Sequence, residues 1–79
     1  MTVSVNGKQD VLTTSEVWEL CKAHSQLGLR TDQVGALYVG EEIEPALLEQ
    51  EVRAIMAERP DLNDACSRVL AALGKTPHA

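Results

Sequence analysis

Two cysteines and two histidines are the residues of this chain best suited to chemistry. Cys21 and His24 are three positions apart, and Cys66 and His78 complete a set of four sulfur and nitrogen ligands. A set of this kind suits tetrahedral zinc, but structural zinc sites usually contain two close pairs. Because twelve positions separate Cys66 from His78, we expect no metal and no cofactor.

Cys21 and His24 can also be compared with a catalytic nucleophile and its base, because an imidazole can lower the pKa of a neighbouring thiol. That chemistry needs an oxyanion-binding element and a cleft, and no glycine-rich turn lies beside either residue. Both residues fall on the apolar stripe of a predicted helix. We therefore expect reduced, buried thiols at Cys21 and Cys66, a partly buried histidine and no enzymatic activity.

A segment of eleven positions, 41 to 51, holds five of the twelve acidic residues and no base. These residues are Glu41, Glu42, Glu44, Glu49 and Glu51. One interpretation is a solvated face, because the positive end of a helix dipole favours nearby carboxylates. The other is a patch that docks on a basic protein surface or blocks a nucleic-acid-binding site. The acids do not have the spacing of a calcium-binding loop.

The length and composition limit the chain to one small domain over residues 1–79. A net charge of -5 and a pI near 4.8 make nucleic acid an improbable partner. No apolar run approaches the roughly 20 residues that cross a bilayer, and the first residues do not resemble a secretion signal. We therefore expect a cytoplasmic protein that does not bind membranes. A homodimer would add buried surface to so short a chain.

The first dozen residues alternate between apolar and polar side chains around Asn6 and Gly7. That pair readily adopts the positive φ angles of a type I′ turn, so we predict a β-hairpin over residues 3–12. Two strands alone are marginal in water. The hairpin must therefore pack on helices or extend the sheet of another molecule.

Thr13 and Glu16 have the spacing of a capping box, which predicts a helix that begins there and ends at Gly28. Its apolar stripe consists of Val17, Leu20, Cys21, His24 and Leu27. Trp18 lies about 100° away from Val17 around the helix, at the margin of that stripe. We expect Trp18 to be half exposed.

The sequence predicts three further helices. Thr31 or Asp32 can cap a short second helix, although Gly35 in its middle costs about 1 kcal/mol relative to alanine. The third should begin at Pro45 and run to about residue 58. The last should be capped by Asp61 and end at Gly74.

The predicted fold is mainly α, with a short N-terminal β-hairpin before a small bundle of three to four helices. The bundle spans residues 14–74, and residues 75–79 form a flexible tail.

Residues 12–20 resemble the first helix of small helix-turn-helix regulators such as excisionases. The resemblance implies DNA binding through the segment that follows. However, the helical pattern continues past Leu20. Residues 30–39 contain one basic residue, Arg30, whereas a recognition helix usually presents several Arg, Lys, Asn or Gln side chains to the DNA bases. A DNA-binding regulator remains the alternative hypothesis, with a basic face formed by Lys8, Lys22, Arg30, Arg53, Arg59 and Arg68.

The size and acidity are similar to those of acyl carrier proteins. Those proteins attach their cofactor to a serine in an Asp-Ser-Leu motif at the start of their second helix. The chain contains no such motif, and Ser25 follows His24 rather than an acid. We therefore set this function aside.

The sequence is best interpreted as a small acidic protein–protein interaction module, acting as a regulator, adaptor or inhibitor. It would occupy a basic surface of a partner protein, alone or as a homodimer. We expect Trp18 to supply affinity, because buried aromatic residues dominate many interfaces. The acidic side chains of Glu41, Glu42, Glu44 and Glu49 would set orientation and association rate.

Overall fold

The computed structural model describes residues 1–75 and confirms a mainly α fold with an N-terminal hairpin. The strands are β1 (Thr2–Val5) and β2 (Lys8–Thr13), and the helices are α1 (Thr14–Leu27), α2 (Gln33–Val39), α3 (Pro45–Glu58) and α4 (Asn63–Ala72). A short 3-10 helix, Pro60–Leu62, precedes α4. His78 and the predicted tail beyond residue 75 lie outside the described residues.

The hairpin turns at Asn6 and Gly7, whose φ angles of 52° and 81° are both positive, as a type I′ turn requires. The two strands pair antiparallel within one chain. Val5 and Leu12 are fully buried, and the Asn6 side-chain amide donates to the Ala72 carbonyl at 3.3 Å. The hairpin therefore packs on the helices.

The predicted ends of α1 are confirmed. The Thr13 hydroxyl accepts from the Glu16 backbone N–H at 3.2 Å, and the Glu16 carboxylate accepts from the Thr13 N–H at 2.8 Å. Gly28 ends the helix in the left-handed conformation. Local side-chain chemistry thus determines both ends of the helix that carries Trp18.

The buried face of α1 differs slightly from the predicted stripe. Val17, Leu20, Ala23 and His24 are buried, whereas Cys21 is only half-buried at the edge of this face. The prediction that Cys21 is buried is therefore wrong: the buried face is centred on Val17, Leu20 and His24, and Cys21 packs against the core only from the margin of that face.

Helix α2 confirms the weakest helical prediction. Asp32 caps it by accepting from the Gly35 N–H at 2.8 Å. A Cβ atom on Gly35 would lie only 2.5 Å from an oxygen of Asp32. Glycine at position 35 therefore leaves room for the capping carboxylate, at a cost of about 1 kcal/mol in helix propensity.

The predicted cap of the last helix is wrong. Pro60 begins a 3-10 helix in which the Leu62 N–H donates to the Arg59 carbonyl at 2.9 Å, so Asp61 lies inside that turn. Its carboxylate accepts two hydrogen bonds from the Arg59 guanidinium, at 3.0 and 2.8 Å. Helix α4 begins after Leu62 without a side-chain cap and ends before Gly74, as predicted.

Arg68 joins the hairpin to α1 and α4. Its guanidinium donates to the Val11 carbonyl at 2.9 Å, to both oxygens of Glu16, and to Asp64 at 2.9 Å. The hydrogen bond from Arg68 is the main reason that the pKa of Glu16 lies below its usual value. One cation therefore stabilises the junction where β2 leads into α1.

The core lies between the hairpin and the four helices. Its fully buried larger side chains are Val5, Leu12, Val17, Leu20, Val34, Leu48, Val52, Ile55, Cys66, Val69 and Leu70. Aromatic side chains are not among them, so Trp18 and Tyr38 belong to the exterior. No helix within residues 1–75 is long and apolar enough to cross a membrane.

Candidate protein-binding surface

The two aromatic residues of the chain form an exposed pair. Trp18 on α1 and Tyr38 on α2 have ring centroids 5.8 Å apart and ring planes inclined at 43°. Trp18 is 51% exposed and Tyr38 is 41% exposed, while the adjacent Val39 is 64% exposed. Two rings in contact with each other but open to solvent form the kind of anchor that is enriched at protein interfaces.

The position of Tyr38 follows from the short helix that carries it. Val34 and Leu37, three residues apart, are buried and define the inner face of α2. One residue further round the helix, Tyr38 turns toward α1 and solvent. Tyr38 is not among the site residues predicted from the sequence, although the spacing of Val34 and Leu37 places it outside the buried face of α2.

The end of α2 places two acidic residues beside the aromatic pair. Gly40 adopts a left-handed conformation with a φ angle of 80°, and the Glu41 N–H donates to the Ala36 carbonyl at 2.8 Å. These contacts end the helix and turn the chain. Glu41 and Glu42 therefore emerge, both exposed, directly after Tyr38 and Val39.

A cavity of about 780 Å³ connects these residues to the hairpin. Its walls are residues 37–43 on one side and β1 with its flanking residues on the other. A smaller cavity of about 300 Å³, lined by Ser15 and Trp18, shares Thr14 and Tyr38 with the first. We call the continuous patch the aromatic–acidic surface and define it as Trp18, Tyr38, Val39, Glu41 and Glu42.

The structure thus brings three of the five predicted partner-binding residues together: Trp18, Glu41 and Glu42. Glu44 is exposed at the N-cap of α3 but does not line either cavity, and its backbone N–H donates to the Gln33 side chain at 2.7 Å. Within residues 1–75, the carboxylates of Glu41, Glu42 and Glu44 make no ion pair.

Glu49 is separate from this surface. Its carboxylate pairs with Arg53 at 3.1 Å on the same helix and with Lys75 at 3.9 Å beyond α4. Glu49 is therefore already neutralised by intramolecular contacts, and it lines neither of the two cavities.

Glu51 is buried, with only 3% of the residue exposed. Its carboxylate accepts from the Gln33 N–H at 2.9 and 3.0 Å, from the Val34 N–H at 3.0 Å and from the Thr31 hydroxyl. It therefore caps the first turn of α2 from the neighbouring helix α3. Both interpretations of the acidic segment, as a solvated face or as a docking patch, are wrong for this residue.

His24 lies against the same cap. Its Nε2 is 3.4 Å from a Glu51 oxygen and contacts the Thr31 carbonyl, and its Nδ1 is 3.7 Å from an Asp32 oxygen. Since a carbonyl oxygen only accepts, Nε2 carries the hydrogen. The cluster thus joins α1, α2 and α3.

The atoms of His24, Asp32 and Glu51 that could bind a metal all lie within 4.8 Å of one another. However, both oxygens of Glu51 already accept two hydrogen bonds each, and Nε2 of His24 donates to a carbonyl. These contacts are those of a structural cap. Cys21 and Cys66, the other described residues considered as zinc ligands from the sequence, do not belong to the cluster.

The thiols have raised pKa values. Burial raises the pKa of Cys66 to about 12, and burial, assisted by the charge of Asp32, raises the pKa of Cys21. Cys21 contacts the Val34 carbonyl through its sulfur, at 3.7 Å, rather than His24. Neither thiol therefore has the lowered pKa of an activated nucleophile.

We expect Cys66 to be inert to iodoacetamide at pH 8 in the native protein, because its thiolate is scarce and its sulfur is inaccessible. Half-buried Cys21 should react more slowly than free cysteine, and both should react fully in urea. Mass spectrometry of the Cys21→Ser and Cys66→Ser proteins measures the alkylation rate of the one cysteine that each variant retains. Rapid native labelling at Cys66 would contradict the buried assignment.

Comparisons with protein families, curated proteins and solved structures find no match to this chain. The function must therefore be argued from its own residues. The residues of the aromatic–acidic surface are among the groups that neither core packing nor ion pairing within residues 1–75 explains.

Proposed function

We propose that this protein is a small acidic interaction module that regulates, adapts or inhibits another protein by binding its basic surface. The observation that carries the proposal is the exposed Trp18–Tyr38 pair beside two carboxylates that have no ion-pair partner within residues 1–75. Two free cysteines accord with action in the cytoplasm, where thiols stay reduced.

The two halves of the surface have different roles in this proposal. Removing the Trp18 and Tyr38 rings from water on binding supplies affinity, because apolar burial contributes about 25 cal/mol per Å². Glu41 and Glu42 contribute chiefly to the association rate, since complementary charge steers the encounter of two proteins. The formal charge of -5 extends this attraction to the whole chain.

The charges favour a different protein over a second copy as the partner. A homodimer through the aromatic–acidic surface would bring Glu41 and Glu42 of both copies together, and like charges across an interface are costly. The partner must instead present lysine or arginine side chains around an apolar or aromatic site.

No observation favours the alternative, DNA binding. Five of the seven lysine and arginine residues form ion pairs with acids of the same chain. Helix α2, which occupies the place of a recognition helix, contains no lysine or arginine. Phosphate contacts require such side chains to be available.

The double substitution Glu41→Lys with Glu42→Lys tests the proposal. The partner is first captured from the source cells by a photoreactive phenylalanine analogue placed at Tyr38. We expect the double substitution to slow association with this partner by about tenfold at low salt and to flatten the salt dependence of the rate. Stopped-flow mixing measures both effects.

Glu58→Lys is the control for replacing a glutamate with lysine elsewhere on the chain. Glu58 is exposed at the end of α3 and lines neither of the two cavities. If the double variant associated as fast as this control, with the same salt dependence, the acidic docking surface would be rejected.

A further inference from the structure

Within residues 1–75, strand β1 has a neighbouring strand on one side only, because the sheet described there consists of β1 and β2. The Thr14 N–H donates to the Met1 carbonyl at 3.0 Å, which continues the register that pairs Val3 with Leu12. Hydrogen-bonded and non-hydrogen-bonded pairs alternate along an antiparallel ladder. Thr2, which follows Met1, therefore directs its backbone N–H and carbonyl away from β2.

The ladder is irregular at Ser4, where residues 9–11 of β2 lie opposite this single residue of β1. Because Val3 and Val5 on either side both pair with β2, the backbone groups of Ser4 also face away from β2. Neither Thr2 nor Ser4 has a backbone hydrogen bond to a helix or loop within residues 1–75. An open edge with free donors and acceptors is a template for another strand.

The 780 Å³ cavity borders this open edge. Its lining includes Thr2, Val3 and Ser4 of β1 and residues 37–43, whereas from the β2 side it includes only Thr14, which follows β2. Along Thr2–Ser4 the cavity therefore lies between β1 and residues 37–43. The opposite wall, formed by residues 37–43, presents Tyr38 and Val39 as apolar contacts. The space is thus a groove between a strand edge and an apolar wall.

The groove has an acidic rim. Glu41 and Glu42 line it, and within residues 1–75 its lining contains no lysine, arginine or histidine side chain. Met1 with its α-ammonium group also lines the groove, so two carboxylates face one cation. An occupant therefore gains from carrying a basic side chain near these carboxylates.

We propose that the groove binds an extended, basic segment of the partner protein, which adds to β1 as a third strand. This inference rests on the proposed function and specifies the form of the partner's binding segment. Backbone hydrogen bonds to Thr2 and Ser4 supply a sequence-independent part of the affinity, as in other cases of strand addition. A lysine or arginine of the segment meets Glu41 and Glu42, and an apolar residue contacts Tyr38.

A second copy of the chain is a poorer occupant. Its own β1 edge, residues 2–5, contains no basic side chain that could meet Glu41 and Glu42. Each copy also carries a formal charge of -5, so pairing two copies edge to edge works against their mutual repulsion.

The probe for this proposal is a capped hexapeptide in which lysine and valine alternate, titrated into the full, isotope-labelled protein and followed by amide chemical shifts. We expect the largest shifts at Thr2, Ser4 and residues 38–42. The same peptide with alternate backbone nitrogens methylated keeps its charge but loses backbone donors. It should bind about tenfold more weakly.

Two controls address charge. A glutamate–valine peptide of the same length should produce no shifts in this groove. The Glu41→Lys and Glu42→Lys double variant should bind the lysine–valine peptide several-fold more weakly than the Glu58→Lys control.

Equal affinity for the methylated and unmethylated peptides would overturn strand addition, and so would absent shifts at Thr2 and Ser4. Either result leaves the proposed function standing, because the association rates of the charge-reversal variant test it independently. Amide chemical shifts at Thr2 and Ser4 that change with protein concentration in the absence of peptide would show that a second copy of the chain binds the edge. That result would also overturn the proposal that a partner segment binds there.

Discussion

Replacing Glu51 with alanine is expected to lower the free energy of unfolding by about 3 kcal/mol, because a buried donor left without an acceptor costs roughly 1 to 3 kcal/mol. The substitution leaves the N–H groups of Gln33 and Val34 and the Thr31 hydroxyl without their acceptor. Buried donors without partners are costly. Since small domains have only about 5 to 15 kcal/mol of stability in total, this change removes a large part of it.

Urea unfolding followed by far-UV circular dichroism measures this loss. Glu51→Gln keeps the shape and one acceptor oxygen, so its loss should be smaller, and it provides a measurable variant if the alanine protein does not fold. Glu58→Ala is the control at an exposed glutamate of the same helix, where we expect a change within about 0.5 kcal/mol. If Glu51→Ala lowered the free energy of unfolding as little as this control, the assignment of Glu51 as a buried cap of α2 would be incorrect.

Replacing Trp18 with alanine is expected to weaken partner binding by at least about 30-fold, which corresponds to the roughly 2 kcal/mol that defines an interface hot spot. The physical reason is that Trp18 offers a large apolar area that is already 51% exposed and held in place by Tyr38. Isothermal titration calorimetry with the captured partner measures the affinity.

The fold should survive this change, because Trp18 is not part of the buried core. We expect the free energy of unfolding to fall by about 1 kcal/mol through loss of the ring contact with Tyr38. Gln26→Ala is the matched control, since Gln26 is exposed on the same helix. Unchanged affinity of Trp18→Ala, with the fold intact, would contradict the assignment of Trp18 as the anchor.

Helix boundaries in this chain were predictable because they depend on neighbours in sequence. The capping box of Thr13 and Glu16, the left-handed Gly28 and the N-terminal Pro45 each act within a few residues. The hairpin turn at residues 6–7 is equally local. These signals were sufficient for the architecture and for the half-exposed position of Trp18.

The contacts between elements were not predictable in the same way. Glu51 caps a helix that begins 18 residues earlier, and Arg68 binds Glu16 across 52 residues. A single sequence carries no signal for such pairs, because the intervening chain must fold first. The error at Asp61 has a similar origin, since a cap signal does not distinguish an α-helix from a 3-10 turn that starts at Pro60.

For the candidate site, the sequence identified its acidic half and one of its rings. Glu41 and Glu42 stand out by their density of charge, whereas Tyr38 is not among the binding residues predicted from the sequence. Glu49 was grouped with them by proximity in sequence, but α3 carries it to Arg53 and Lys75. Residues that are close in sequence therefore need not lie on the same surface when a helix separates them.

Site-specific photo-crosslinking from residue 38 tests the central claim most directly. A photoreactive phenylalanine analogue at Tyr38 should capture a protein with a basic surface in the source cells, and adding Glu41→Lys and Glu42→Lys should strongly reduce that capture. The same analogue at exposed Gln50, outside the two cavities of the aromatic–acidic surface, is the control. Capture of the same protein from position 50 but not from position 38 would contradict the account.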